Sequence, residues 1–142
     1  DLAPGAELMM AEMIVFGRHA CGEALTQGSL LEAWRVRRGG ALVWADGLEL
    51  GEAMADRLAS PFGFAGAEAA ATLLLAIEAP LAAARDALRA DGAAVTLLRP
   101  GLMLVRWLGG AAEVRDGLGA AIRATRARLF GLPPALPRLW TC

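Results

Sequence analysis

The stretch Phe16-Gly17-Arg18-His19-Ala20-Cys21-Gly22-Glu23 gathers the only histidine of the chain, one of its two cysteines, an arginine and a glutamate between two glycines. Three kinds of chemistry use such residues. A thiol beside an imidazole is a nucleophile with its base, the makings of a thiol-dependent hydrolase through Cys21 and His19. The same two side chains, two apart and so on one face of an extended segment, can ligate a thiophilic ion such as nickel. Arg18 and Glu23 can pair across a tight turn whose glycines, Gly17 and Gly22, accept positive φ. In solvent such a pair is worth about 0–1 kcal/mol; partly buried, it would line a polar cavity. Against catalysis, a cysteine nucleophile normally draws its histidine from a distant part of the chain, and there is no second histidine. A structural zinc site lacks four ligands unless carboxylates join, and no nucleophile-elbow context supports a serine triad. Incidental occupancy of a turn is the remaining reading of His19 and Cys21.

Composition narrows the classes further. With 142 residues and net charge −1, the chain suits one domain. Every basic residue is arginine, so a Gly-x-x-x-x-Gly-Lys phosphate loop is impossible, and Gly-x-Gly-x-x-Gly is also absent. Near-neutral charge without a basic stripe argues against nucleic acid as a partner. The hydrophobic content of 56% comes in runs about half the length needed to cross a bilayer, so no membrane span is expected. No export signal is visible at the start. Cys21 and Cys142 are too far apart in sequence to form a disulfide framework, which fits a reducing cytoplasm. Few charges among many apolar residues point to surface covered by another protein.

These features must be positioned by a recognisable series of elements. Residues 7–16 form an apolar strand bounded by Pro4-Gly5 and Gly17. Residues 29–38 and 41–50 flank Gly39-Gly40 and predict a hairpin. In its first arm Trp34 and Val36 face one way, Arg35 and Arg37 the other. In its second arm Leu42, Trp44, Leu48 and Leu50 share a side interrupted by Asp46. Residues 60–67 read as a loop anchored by two phenylalanines, and 71–77 as a fully buried strand. Pro80 opens a helix with Leu81, Ala84 and Leu88 on one face, ended by Asp91-Gly92. Strands over 94–98 and 102–108 follow, joined by Arg99-Pro100-Gly101. A long helix over 111–130 carries Val114, Leu118, Ala121, Ile122, Thr125 and Leu129 on one face. Gly117 and Gly119 weaken it by roughly 1 kcal/mol each relative to alanine. Pro137-Arg138-Leu139-Trp140 is expected to be an extended tail. Trp34, Trp44 and Trp107 read as core or interface anchors.

The order of these features resembles the C-terminal half of the urease accessory protein UreD (UreH) family. The matching residues are Phe16, Gly17, Arg18, Ala20, Gly22 and Glu23, the strand pair around Trp34 and Trp44, Thr72-Leu73-Leu74, Leu88-Arg89, Gly101-Leu102 and the closing Pro137-Arg138-Leu139-Trp140. The resemblance implies a mainly β (α+β) fold: antiparallel, layered and β-helix-like, with two helices in the C-terminal part. It implies that residues 1–142 are one domain, the C-terminal half of a longer one. It further implies no catalysis, a cytoplasmic scaffold role, and UreF, UreG and the urease apoprotein as partners. No tightly bound cofactor is expected, but nickel in transit is, past acidic residues of a water-filled tunnel. On this reading Glu23 is the tunnel-lining candidate, with Arg18 positioning it and Gly17 and Gly22 shaping the turn. His19 and Cys21 are weak metal candidates, since the family pattern does not demand them. Trp34, Trp44, Arg138 and Trp140 are interface candidates.

Overall fold

A computed structural model describes residues 1–18 and 21–140 of the chain. Its elements are β1 (Leu8–Val15), β2 (Gly17–Arg18), β3 (Glu23–Ala24), β4 (Leu30–Arg38), β5 (Ala41–Leu50), α1 (Met54–Ala59), β6 (Ala69–Ala76), α2 (Ala82–Ala90), β7 (Ala94–Arg99), β8 (Leu102–Gly109), α3 (Ala111–Phe130) and a 3₁₀ turn at Arg138–Trp140. An antiparallel sheet in the order β1-β6-β8-β7 forms the middle of three layers. Strand β6 is apolar at every position but Thr72 because it is covered on both faces. Its alternate residues Ala71, Leu73 and Leu75, with Met103 and Val105, pack under Val114, Leu118 and Ile122 of α3. On the opposite face Leu74, Ala76, Leu102 and Leu104 pack against Trp34 and Val36 of the β4–β5 hairpin. A third cluster, Phe16, Leu50, Met54 and Leu58, closes one end.

The fold is mixed α+β, but the expected β-helix-like layering is not formed. Among the described residues there is neither a β-helix nor a closed sheet, only one four-stranded and two two-stranded antiparallel sheets. The reason is local. Gly39 and Gly40 both take positive φ (56° and 79°), so the hairpin folds back on itself as a pair, while the 20-residue α3 covers the face on which a further rung would have to stack. Helices α2 and α3 lie where the sequence predicts them, and α1 is a third that the sequence reading missed. It is six residues long, and only Met54 and Leu58 at i, i+4 mark its buried side.

Three smaller differences have identifiable causes. Leu42 leaves the buried side of β5 because the register shifts between Val36 and Arg37: Val36 faces Trp44, Arg37 faces Leu42, and Val43 is the extra residue, packed inward instead. The tail is not extended; the 3₁₀ turn at Arg138–Trp140 lays the half-buried Trp140 against the main core. Gly117 permits a close approach: a Cβ there would sit 2.9 Å from the indole nitrogen of Trp107. Its helix-weakening cost is thus tied to the packing of α3 on β8. No helix among the described residues is long and apolar enough to cross a membrane.

Candidate functional site

The Phe16–Glu23 turn is a clip at the end of the sheet. Phe16 is buried, edge-on to Phe64 with ring centroids 4.8 Å apart, and its N–H donates to the Glu68 carbonyl at 2.8 Å. Strands β2 and β3 pair Gly17 with Ala24 and Arg18 with Glu23. Gly17 has φ +117°, and a Cβ there would lie 2.6 Å from the Glu23 carbonyl oxygen. Gly22 also has positive φ, 74°. The Arg18 guanidinium grips Glu23 with both prongs, Nε to Oε2 at 2.8 Å and Nη2 to Oε1 at 2.9 Å. Both side chains are open to solvent, 74% and 54% exposed, so the pair is the weak, screened kind. Cys21 is an exposed free thiol, and His19 and Cys142 lie outside the described residues. Gly17→Ala is expected to cost about 1–3 kcal/mol, read as a lower urea midpoint at unchanged slope.

A more concentrated polar group lies elsewhere, in a cavity of about 390 Å³ between the hairpin and the sheet. The sheet contributes one cross-strand row, Glu12 on β1 opposite Thr72 on β6 opposite Arg106 on β8. The hairpin contributes Glu32 and Asp46, which share the inward face with Trp34 because Trp34 and Asp46 are cross-strand partners and Glu32 is two residues away. The Trp34 indole N–H donates to Glu12 Oε2 at 2.8 Å, and Asp46 forms an ion pair with Arg106. Two polar ties therefore cross the interface between layers. Trp34 is 9% exposed and stacks edge-to-face on the partly buried Trp44 at 5.7 Å.

The electrostatics of this group are uneven. Burial pushes the Glu32 carboxyl up to about 7, reinforced by the hydrogen bond and charge of Glu12 and, more weakly, by the charge of Asp46; the Trp34 indole opposes the shift. Arg106, the only cation lining the cavity among the described residues, is engaged by Asp46. The arrangement can hold a proton between carboxyls and present negative charge to a passing cation. It cannot clamp one: among the described residues no three His, Cys, Asp or Glu side chains are placed to hold a metal ion. A larger groove of about 890 Å³ lies where β6 ends, but its lining is mostly apolar, with Arg38 paired to Glu78.

Sequence reading missed Glu12, Glu32 and Arg106. The signal was strand parity. Glu12 shares a face with Met10 and Ile14, and Glu32 with Leu30 and Trp34, so each is a carboxylate on an otherwise apolar face. Asp46 interrupts such a face in the sequence, but its partner on β8 does not follow from spacing.

Residues 1–141 match the family model described as UreD urease accessory protein. The chain is 41% identical to the urease accessory protein UreD of Granulibacter bethesdensis, over 99% of this chain and 60% of that protein. It is 42% identical to the UreD of Magnetococcus marinus, over 98% of this chain and 51% of that protein. With UreD 2 of Methylorubrum populi the identity is 42% and the shares are 99% and 48%. The chain thus spans about half the length of the curated relatives it matches.

Proposed function

This chain belongs to the UreD urease accessory protein family, and on that premise we propose that it acts in urease maturation as a non-catalytic cytoplasmic scaffold. In this role it holds UreF and, through it, the GTPase UreG against the urease apoprotein while nickel is delivered. The observation that carries the nickel part is the cavity between hairpin and sheet, with Glu12, Glu32 and Asp46 in it and no ligand set among the described residues. Carboxylates that attract a dication without chelating it suit a path better than a store, because strong ligation would slow release. Nickel is cargo here, hydrated as it passes. Glu23, held by Arg18 in solvent, serves the shape of the turn, and the path runs through the interlayer carboxyls instead.

The test uses the natural-length protein co-expressed with UreF, UreG and the urease subunits. The proteins are expected to co-purify, and Asp46→Asn is expected to leave that complex intact while lowering the nickel content of urease several-fold. Glu23→Ala should leave nickel content unchanged. Failure of the partners to co-purify removes the scaffold reading; a nickel loss with Glu23→Ala but not Asp46→Asn removes the assigned path. Cys21→Ser is expected to leave urease activation intact, whereas a hydrolase working through Cys21 and His19 would lose its turnover.

A further inference from the structure

We propose that the carboxyl pair Glu12–Glu32 is a proton-operated latch that holds the β4–β5 hairpin on the four-stranded sheet. Glu12 belongs to the sheet and Glu32 to the hairpin; both line the cavity between the layers, where Trp34, two residues from Glu32 on the same strand face, donates its indole N–H to Glu12. The hydrogen bond and charge of Glu12 act on the Glu32 carboxyl. Two carboxylates side by side repel, whereas a carboxyl and a carboxylate share a hydrogen bond. One proton therefore decides whether this contact pulls the layers together or pushes them apart. Among the described residues lining the cavity, only Glu12, Glu32, Asp46 and Arg106 carry charged or titratable side chains. Asp46 on β5 adds negative charge, Arg106 on β8 is occupied by Asp46, and Thr72 on β6 is neutral. No free cation in this set can take the place of the proton.

The pH window follows from the direction of the Glu32 shift. Docked, its carboxyl keeps its proton up to about 7; undocked in water it loses it near the ordinary glutamate value of 4.5. Between those values the docked state binds the extra proton, so docking is strongest in acid, weakens as pH rises from about 4.5 to about 7, and is level above. The latch is thus half-released near neutrality, where the Asp46–Arg106 pair and the apolar contacts of Trp34 and Val36 still hold the hairpin. This device does not depend on nickel passing through the cavity, so it stands or falls separately from the transport reading.

The test is made on the natural-length protein with ¹⁵N-labelled tryptophan, the Trp34 indole resonance being assigned by its loss in Trp34→Phe. In the wild type that resonance should titrate with a midpoint near 7. Hydrogen exchange of the hairpin amides, corrected for the intrinsic rate, should show opening that increases with pH up to neutrality, by at most about tenfold per unit. Glu32→Gln, which keeps shape and hydrogen bonding, should abolish both the indole transition and the pH-dependent opening. Glu12→Gln should move the indole transition to lower pH by removing the neighbouring charge. A wild-type indole resonance without a transition between pH 5.5 and 8.5 overturns the latch (a range chosen to span about 1.5 units either side of neutrality). So does hairpin opening with the same pH dependence in wild type and Glu32→Gln.

Discussion

Trp34→Ala is expected to lower the unfolding free energy by about 3–5 kcal/mol, the largest effect of a single substitution in the hairpin. Trp34 fills the space between the layers against Leu74, Ala76, Leu102 and Leu104, at 9% exposure. Its removal leaves a cavity, strips Trp44 of its edge-to-face partner and takes the donor from Glu12. Trp34→Phe separates these contributions. It keeps most of the packing and loses the N–H, and it should cost about 1–3 kcal/mol, in the range for a hydrogen bond to a charged group. Chemical denaturation of both variants checks the ordering. Equal losses would mean that the indole–carboxylate tie, and not packing, holds the hairpin down.

Leu118→Ala should be comparably damaging, about 2–5 kcal/mol. Leu118 is fully buried, in the middle of α3 against β6 and β8. The helix carries Gly117 and Gly119 on either side of it, so intrinsic propensity contributes little at this point and tertiary packing must hold the turn in place. Loss of α3 packing would also uncover Leu73, Leu75 and Val105. Far-ultraviolet circular dichroism with urea titration is the direct check. A loss below about 0.5 kcal/mol, the ordinary range of a surface substitution, would mean that the neighbouring contacts of Val114 and Ile122 carry the helix without it.

Most of the secondary structure is legible in the sequence, because each long element has an unambiguous period. Strand β4 alternates Trp34 and Val36 with Arg35 and Arg37, and α3 repeats its apolar residues at three and four. The turn chemistry of Gly39-Gly40 and Arg99-Pro100-Gly101 separates the strands at the right places. What fails is short or irregular. Six-residue α1 has too few repeats to show a period, and the inserted Val43 moves Leu42 to the outside, a change that no alternation rule anticipates. The tail at Arg138–Trp140 curls because Trp140 gains burial on the core, and that core exists only once α3 has docked.

The candidate site divides in the same way. The residues of the Phe16–Glu23 turn are neighbours in the chain, so the glycine conformations and the Arg18–Glu23 pairing follow from local geometry alone. The membership in the UreD family is likewise legible in the sequence, but from residues 1–141 as a whole. Glu12, Glu32, Asp46 and Arg106 come from four strands, separated by up to 94 residues of sequence (106 − 12). Local periodicity says which face of a strand each one occupies, but not which face of another strand it will meet. That choice is made by the packing of hairpin on sheet, where burying Trp34 and Val36 against β6 and β8 drives the polar members of the same faces into one cavity. The clip at Phe16–Glu23 was therefore written in adjacent residues, and the interlayer carboxyl group was decided only by the tertiary fold.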